Sequence, residues 1–255
     1  MKKIKFSAAD WSYVAKSGLT PEKYYSELRK IGYEAVEMTS PANMKAARDA
    51  GLQIINMGAP GMTKGLNRLE NHAELLPQIR NTISEAKKEK IPYVIIFSGN
   101  REGQPDAEGI KNCITGIEKV IGDASKAGVT LIFEMLNSFE HADYQADNSA
   151  YGFTIAKKFN SPSLKVLYDI YHMERMGEDS VKDIVGNLGL VAHIHVAESP
   201  KRTIPLPDGK IRYREIVKKV SDAGYSGFWG MEFLPGADVL GELKTAAQDF
   251  SSFVK

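Results

Sequence analysis

The chain has 255 residues, 33 basic and 32 acidic groups, and a formal net charge of +1. With 25% charged and 43% apolar residues, it lies outside the low-hydrophobicity, high-charge regime of disordered chains. It also lacks the basic excess of a nucleic-acid-binding surface. Its one cysteine, Cys113, cannot close an intrachain disulfide, so the fold needs no oxidising compartment. Lys2 and Lys3 look like the start of a signal, but Lys5, Ser7, Asp10 and Ser12 interrupt any apolar segment behind them. No apolar run of roughly 18 residues occurs, which excludes a hydrophobic membrane span. The expectation is a cytoplasmic protein with no nucleic-acid or membrane partner.

Along the chain, short β-branched runs alternate with longer segments of helical period. The runs at 4–9, 34–38, 53–58, 93–99, 130–135, 165–170, 191–197 and 227–233 predict eight strands. Between them the pattern predicts helices over 21–31, 68–89, 107–127, 149–159, 180–188, 213–223 and 239–253. Thr20-Pro21-Glu22 reads as a helix start, with a cap residue before a proline whose missing N–H is harmless at the first position. Gly32, Gly51, Gly128 and Gly224 each follow a helical run, where a left-handed cap residue is wanted. One strand recurs about every 32 residues, close to the length of a βαβ unit. The expected fold is therefore α/β: a (β/α)₈ TIM barrel in a single domain spanning 1–255. No Gly-rich phosphate turn follows the first strand, as an open dinucleotide-binding sheet would require.

Four later strands end in polar residues that an apolar core does not ask for: Glu134, Asp169, His195 and Glu232. Each alone has a plain explanation, such as a helix cap for Asp169 or a hydrogen-bonded histidine for His195. Together, at equivalent places on consecutive strands, they predict a cluster at the C-terminal rim of a barrel, where such enzymes carry their chemistry. Three carboxylates meeting one imidazole would repel one another without a cation. The donor set suits one divalent ion, Mn²⁺ or Mg²⁺ first, with Co²⁺ or Zn²⁺ as alternatives. His193 shares the strand face of His195 and reads as a residue behind the site or in the core, as a direct metal ligand, or as a substrate contact. His172 follows Asp169 by three and could orient a ligand or touch a substrate oxygen. The segment 198–211, with three prolines, reads as an active-site loop. Within it Lys201 reads as a solvated charge. Phe97–Arg101 could be a polar rim or simple turn chemistry.

Five segments carry a resemblance: FSGNREGQPDAEGIKNC (97–113), LIFEMLNS (131–138), LYDIYHMERM (167–176), HIHVAESPKR (193–202) and AGYSGFWGMEF (223–233). The chain resembles the xylose-isomerase-like barrels of sugar isomerases and epimerases, and within them the hydroxypyruvate isomerase group. The resemblance implies one divalent metal on Glu134, Asp169, His195 and Glu232, with Glu134 and Glu232 as the catalytic proton-transfer pair. It also implies substrate contacts from His172 and Arg202, and from Glu140, which falls six after Glu134 as in the ketose 3-epimerases. Two departures stand out. Position 195 is His195 here, as in those epimerases, where hydroxypyruvate isomerases carry glutamine. The loop reads RTIPLPDGKIRY where the isomerases tend to RxEPGxGExDY, so Ile204, Lys210 and Arg212 replace acidic residues.

The chemistry expected of such a site is isomerisation or epimerisation of a small sugar or hydroxy-carbonyl compound through an enediolate, with glutamate as proton carrier. The competing readings are an inositol-type dehydratase, a metal-dependent phosphodiester hydrolase and a non-catalytic sugar-binding barrel, because one fold hosts many chemistries. The hydrolase reading needs several metals and more histidines than the five present. Relatives of this kind suggest a homo-oligomer.

Overall fold

The computed structural model describes residues 4–254; Lys2 and Lys3, read above as a signal-like start, lie outside them. The strands are β1 (Lys5–Ala9), β2 (Ala35–Glu37), β3 (Gln53–Ile54), β4 (Asn56–Gly58), β5 (Tyr93–Phe97), β6 (Thr130–Glu134), β7 (Leu164–Asp169), β8 (Val191–Val196) and β9 (Phe228–Met231). Every predicted run is represented, and only 53–58 is split, at Ile55. The pairings whose register is described are all parallel. This accounts for the near-continuous apolar character of runs such as LIF and VII, since parallel strands are covered on both faces.

The chain divides into two compact units. The first holds the described residues up to Ile55, then Asp179–Leu188, then everything from His193. Its strands follow the order β3, β2, β1, β9, β8. The helix Pro21–Ile31 begins as expected: the Thr20 hydroxyl accepts the Lys23 N–H, Pro21 opens the first turn, and Gly32 ends it at φ 118°. The helix Tyr213–Asp222 buries Tyr213, Ile216, Val217 and Val220, an i, i+3, i+4, i+7 stripe. Tyr213 and Trp229 both pack on Phe250 of the helix Val239–Ser252.

The second unit holds residues 56–178 and 189–192, with strand order β7, β6, β5, β4. The helix predicted over 107–127 breaks into Asp106–Glu118 and Ile121–Ala127. The break buries Val120 completely, a packing gain that overrides local helix preference. The helix predicted over 68–89 begins as a short 3₁₀ turn, Leu69–Asn71, and continues as His72–Lys88. Cys113 is fully buried beside the Tyr151 hydroxyl, and burial pushes its thiol up to about 12, in keeping with a core residue. Among the described residues no helix is long and apolar enough to cross a membrane.

Register places Glu134 beside Phe97 on one side and Leu167 on the other. Its backbone is pinned by Tyr144, whose hydroxyl donates to the Glu134 carbonyl at 2.9 Å and accepts the Ser98 N–H at 2.9 Å. Tyr144→Phe leaves both buried backbone groups without that partner. The variant is expected to lose about 1–3 kcal/mol of stability, read as a lower urea midpoint at unchanged slope. An unchanged midpoint would show that the hydroxyl holds nothing.

Candidate active site

In the second unit Glu134 and Asp169 are the last residues of neighbouring strands, and both are buried. Asp169 does perform the capping role open to it from sequence: its Oδ1 accepts the His172 N–H at 3.1 Å and starts the short helix Ile170–Arg175. That bond fixes the carboxylate plane and leaves Oδ2 on the other side, 3.6 Å from His172 Nε2. His172 is itself locked. Asn137 Oδ1 accepts the N–H groups of Phe139 and Glu140, so its amide NH₂ faces His172 Nδ1 at 2.6 Å. The Asn137 backbone N–H donates to the same nitrogen at 3.1 Å. Nδ1 is therefore an acceptor, and the ring carries its proton on Nε2. Glu140 is exposed and accepts a hydrogen bond from the Tyr171 hydroxyl. Asn137 was not singled out by the sequence, although it lies in the LNS that carries the resemblance.

In the first unit Glu232 follows β9 directly and is almost fully buried. Its Oε1 accepts the Trp11 indole N–H at 2.9 Å, and its Oε2 lies 2.5 Å from Arg202 Nη2 and 3.0 Å from His195 Nδ1. Burial opposes charge on this carboxyl. The Arg202 guanidinium and the Trp11 indole N–H, which donate to it, favour the charged form. Arg202 takes a left-handed backbone, φ 54°, and its Nε donates to the Glu232 carbonyl at 3.1 Å, so the guanidinium clasps Glu232 by side chain and main chain alike. It also lies over the Trp11 ring.

The residue that the sequence reading missed is Glu37. It ends β2, has no exposed surface, and its Oε2 lies 2.9 Å from His193 Nε2 and 2.8 Å from His195 Nε2. Burial disfavours its charge, but the two imidazoles overcome burial and keep its carboxyl well below the usual range. His193, expected as a substrate contact or as a residue behind the site, is fully buried with Nε2 on Glu37. The available signal was a charged residue closing the apolar run AVE, the same pattern that flagged Glu134.

The loop after β8 is held by Glu198, whose Oε1 accepts the N–H groups of Ser199 and Ile211. Lys201, Lys210 and Arg212 are exposed, and Arg212 pairs with Glu215. The 97–101 segment is mostly turn chemistry: Arg101 bonds Asp106 at 2.5 Å and the Gln145 carbonyl at 3.2 Å.

Glu134 and Asp169 of the second unit, and His195 and Glu232 of the first, are all buried, and carboxylates and an imidazole with no thiolate are donor types suited to a divalent cation. The way His195 is held fits this use. Glu37 occupies Nε2, and the Nδ1 edge is the one that faces Glu232. Buried carboxylates also need a compensating charge, and a cation would supply it.

The profile of the xylose isomerase-like TIM barrel family matches residues 25–249, and the chain belongs to that family. This bears out the TIM-barrel fold class expected from the strand–helix rhythm. A 2-oxo-tetronate isomerase of Cupriavidus necator is 28% identical over 226 residues, covering 81% of this chain and 84% of that protein. A D-psicose 3-epimerase of Agrobacterium fabrum is 27% identical over 233 residues, covering 82% and 78%. The hydroxypyruvate isomerase of Escherichia coli is 26% identical over 110 residues, 43% of this chain and 42% of that one. These relatives are isomerases and epimerases, and the chain is an enzyme of the same kind.

Asp10, at the end of β1, is a further buried acid in the first unit. Burial pushes its carboxyl up from 3.8 to about 6, against the pull of hydrogen bonds from Tyr25 (2.6 Å) and Thr39, and the charge of Glu37 adds to the rise. The folded chain thus binds this proton more tightly than the unfolded chain. The stability it contributes is present below about pH 4 and is lost as pH rises through 6. Asp10→Asn is expected to flatten the stability profile over this window by up to about 3 kcal/mol, measured by denaturant melts from pH 4 to 7. Parallel profiles for the two proteins would contradict the assignment.

Proposed function

We propose that this enzyme interconverts small sugars or hydroxy-carbonyl compounds by glutamate-mediated proton transfer, in the manner of the hydroxypyruvate isomerases, with one divalent cation held by Glu134, Asp169, His195 and Glu232. The observation that carries the reading is the state of Glu232. It is buried, and the Trp11 indole N–H and the Arg202 guanidinium donate to its two carboxylate oxygens and fix their plane.

Glu232 is the base that takes the proton from the carbon next to the substrate carbonyl. Arg202 fixes the plane of that carboxylate from one side and Trp11 from the other. Glu134 is the second carboxyl, returning a proton to the adjacent carbon in an isomerisation or to the opposite face in an epimerisation. His172, with its proton held on Nε2 by Asn137, donates to a substrate oxygen. Glu140, on the loop that Asn137 anchors, accepts from a substrate hydroxyl. When bound, a divalent cation would polarise the substrate carbonyl and balance the charge of an enediolate, and the oxygen-rich donor set favours Mn²⁺ or Mg²⁺. The hydrolase alternative is disfavoured by the histidines: His72 is spent on the Leu66 carbonyl and His193 on Glu37.

Candidate ketoses and hydroxypyruvate are incubated with the Mn²⁺-loaded enzyme in D₂O. Turnover is expected to place deuterium on the carbon next to the carbonyl and to stop on chelation. Glu134→Gln and Glu232→Gln are each expected to lower kcat by about 10²–10⁴-fold. Full turnover by Glu232→Gln would overturn the paired-glutamate scheme.

A further inference from the structure

Of the five histidines, His193 and His195 are the only two that meet a common buried carboxylate among the described hydrogen bonds. They stand two apart on β8, so both rings leave the strand on one face. They pack edge to face, with centroids 4.9 Å apart and planes at 86°. Both Nε2 atoms converge on the same oxygen, Glu37 Oε2, at 2.9 and 2.8 Å. An ionised carboxylate only accepts, so both imidazoles must present Nε2–H. The opposite edge of His195, Nδ1, then faces Glu232 Oε2 at 3.0 Å.

The space for this arrangement is made by Gly230, the residue that pairs with His195 across β8 and β9. A Cβ at that position would lie 2.4 Å from Glu37 Oε1 and 2.8 Å from both His193 Nε2 and His195 Cδ2. Any side chain there would displace the carboxylate or the rings. The sequence therefore leaves out a side chain at the point where the three groups meet.

We propose that Glu37 is a positioning residue for the cation site: it holds His195 in the Nε2–H form, with Nδ1 as the metal donor, and His193 is the second donor that holds Glu37 in place. His193 is accordingly neither a metal ligand nor a substrate contact. The proposal rests on the reading that His195 is a ligand. Glu37 has no exposed surface and its Oε2 meets His195, so its effect on the reaction passes through that ring. A carboxylate behind a metal-bound imidazole fixes the ring and raises its basicity, and its loss typically weakens metal binding about 10–100-fold.

The test compares Mn²⁺ binding to the chelator-stripped wild type, Glu37→Gln and His195→Gln, by electron paramagnetic resonance titration, with circular dichroism reporting the fold. The wild type is expected to bind one Mn²⁺ per chain, and Glu37→Gln to bind it about 10–100-fold more weakly. The ¹⁴N coupling of the bound Mn²⁺, from one directly coordinated imidazole, is expected to vanish in His195→Gln and to be altered in Glu37→Gln. A merely structural loss would leave that coupling intact. Because Glu37→Gln removes a buried charge and can fail to fold, a second measurement needs only the wild type. Nitrogen–proton correlation spectra of ¹⁵N-histidine-labelled, Zn²⁺-loaded protein are expected to show Nε2–H on both His193 and His195, and metal on His195 Nδ1. Zn²⁺ on Nε2 of either ring, a second ion held by Glu37, His193 and His195, or equal Mn²⁺ affinity in a folded Glu37→Gln would overturn the proposal. No Mn²⁺ binding by the wild type would instead remove the underlying reading of the site.

Discussion

A carboxylate taken out of water is tolerated only where donors or positive charge meet it, and this chain buries several. Glu37 is met by two imidazoles, Glu232 by Arg202 and an indole N–H, and Asp169 by the first turn of a helix. Glu198 is met by two backbone N–H groups. Asp10 has hydroxyl partners beside the negative charge of Glu37, and burial raises its carboxyl to about 6. How each acid is compensated decides what it can do. Those met by charge stay ionised, and those met by backbone N–H groups organise loops and helix starts.

The same compensation orders the groups around the two candidate proton carriers. Glu134 is fixed through its backbone by Tyr144. Glu232 is fixed through its side chain, and the clasp of Arg202 ties the loop after β8 to the end of β9. Asn137 sets the proton of His172 and the start of the loop carrying Glu140 in one move.

Much of this was legible in the sequence, for a definite reason. Strands buried on both faces read as short apolar runs, so a charged residue at their end stands out. That is how Glu134, Asp169, His195 and Glu232 were found, and the family shown by the sequence profile agrees with the strand–helix rhythm. Glu37 stands one before the end of the predicted run 34–38, much as Glu134 does in 130–135, but that run also opens on a glutamate, Glu34, so a second charge in it does not stand out. The split at Ile55 and the helix break at Val120 carry no glycine or proline at the break and were set by packing. The loop charges Lys210 and Arg212, which depart from the family pattern, are exposed.

The proposed chemistry requires that Glu134, Asp169, His195 and Glu232 share one ion. A crystal structure of the Mn²⁺-loaded enzyme, phased for anomalous scattering at the manganese edge, decides this directly. A single peak bonded to those four residues, through Nδ1 of His195, is the predicted result. A peak at any other residues, or none in protein that retains activity, would contradict it.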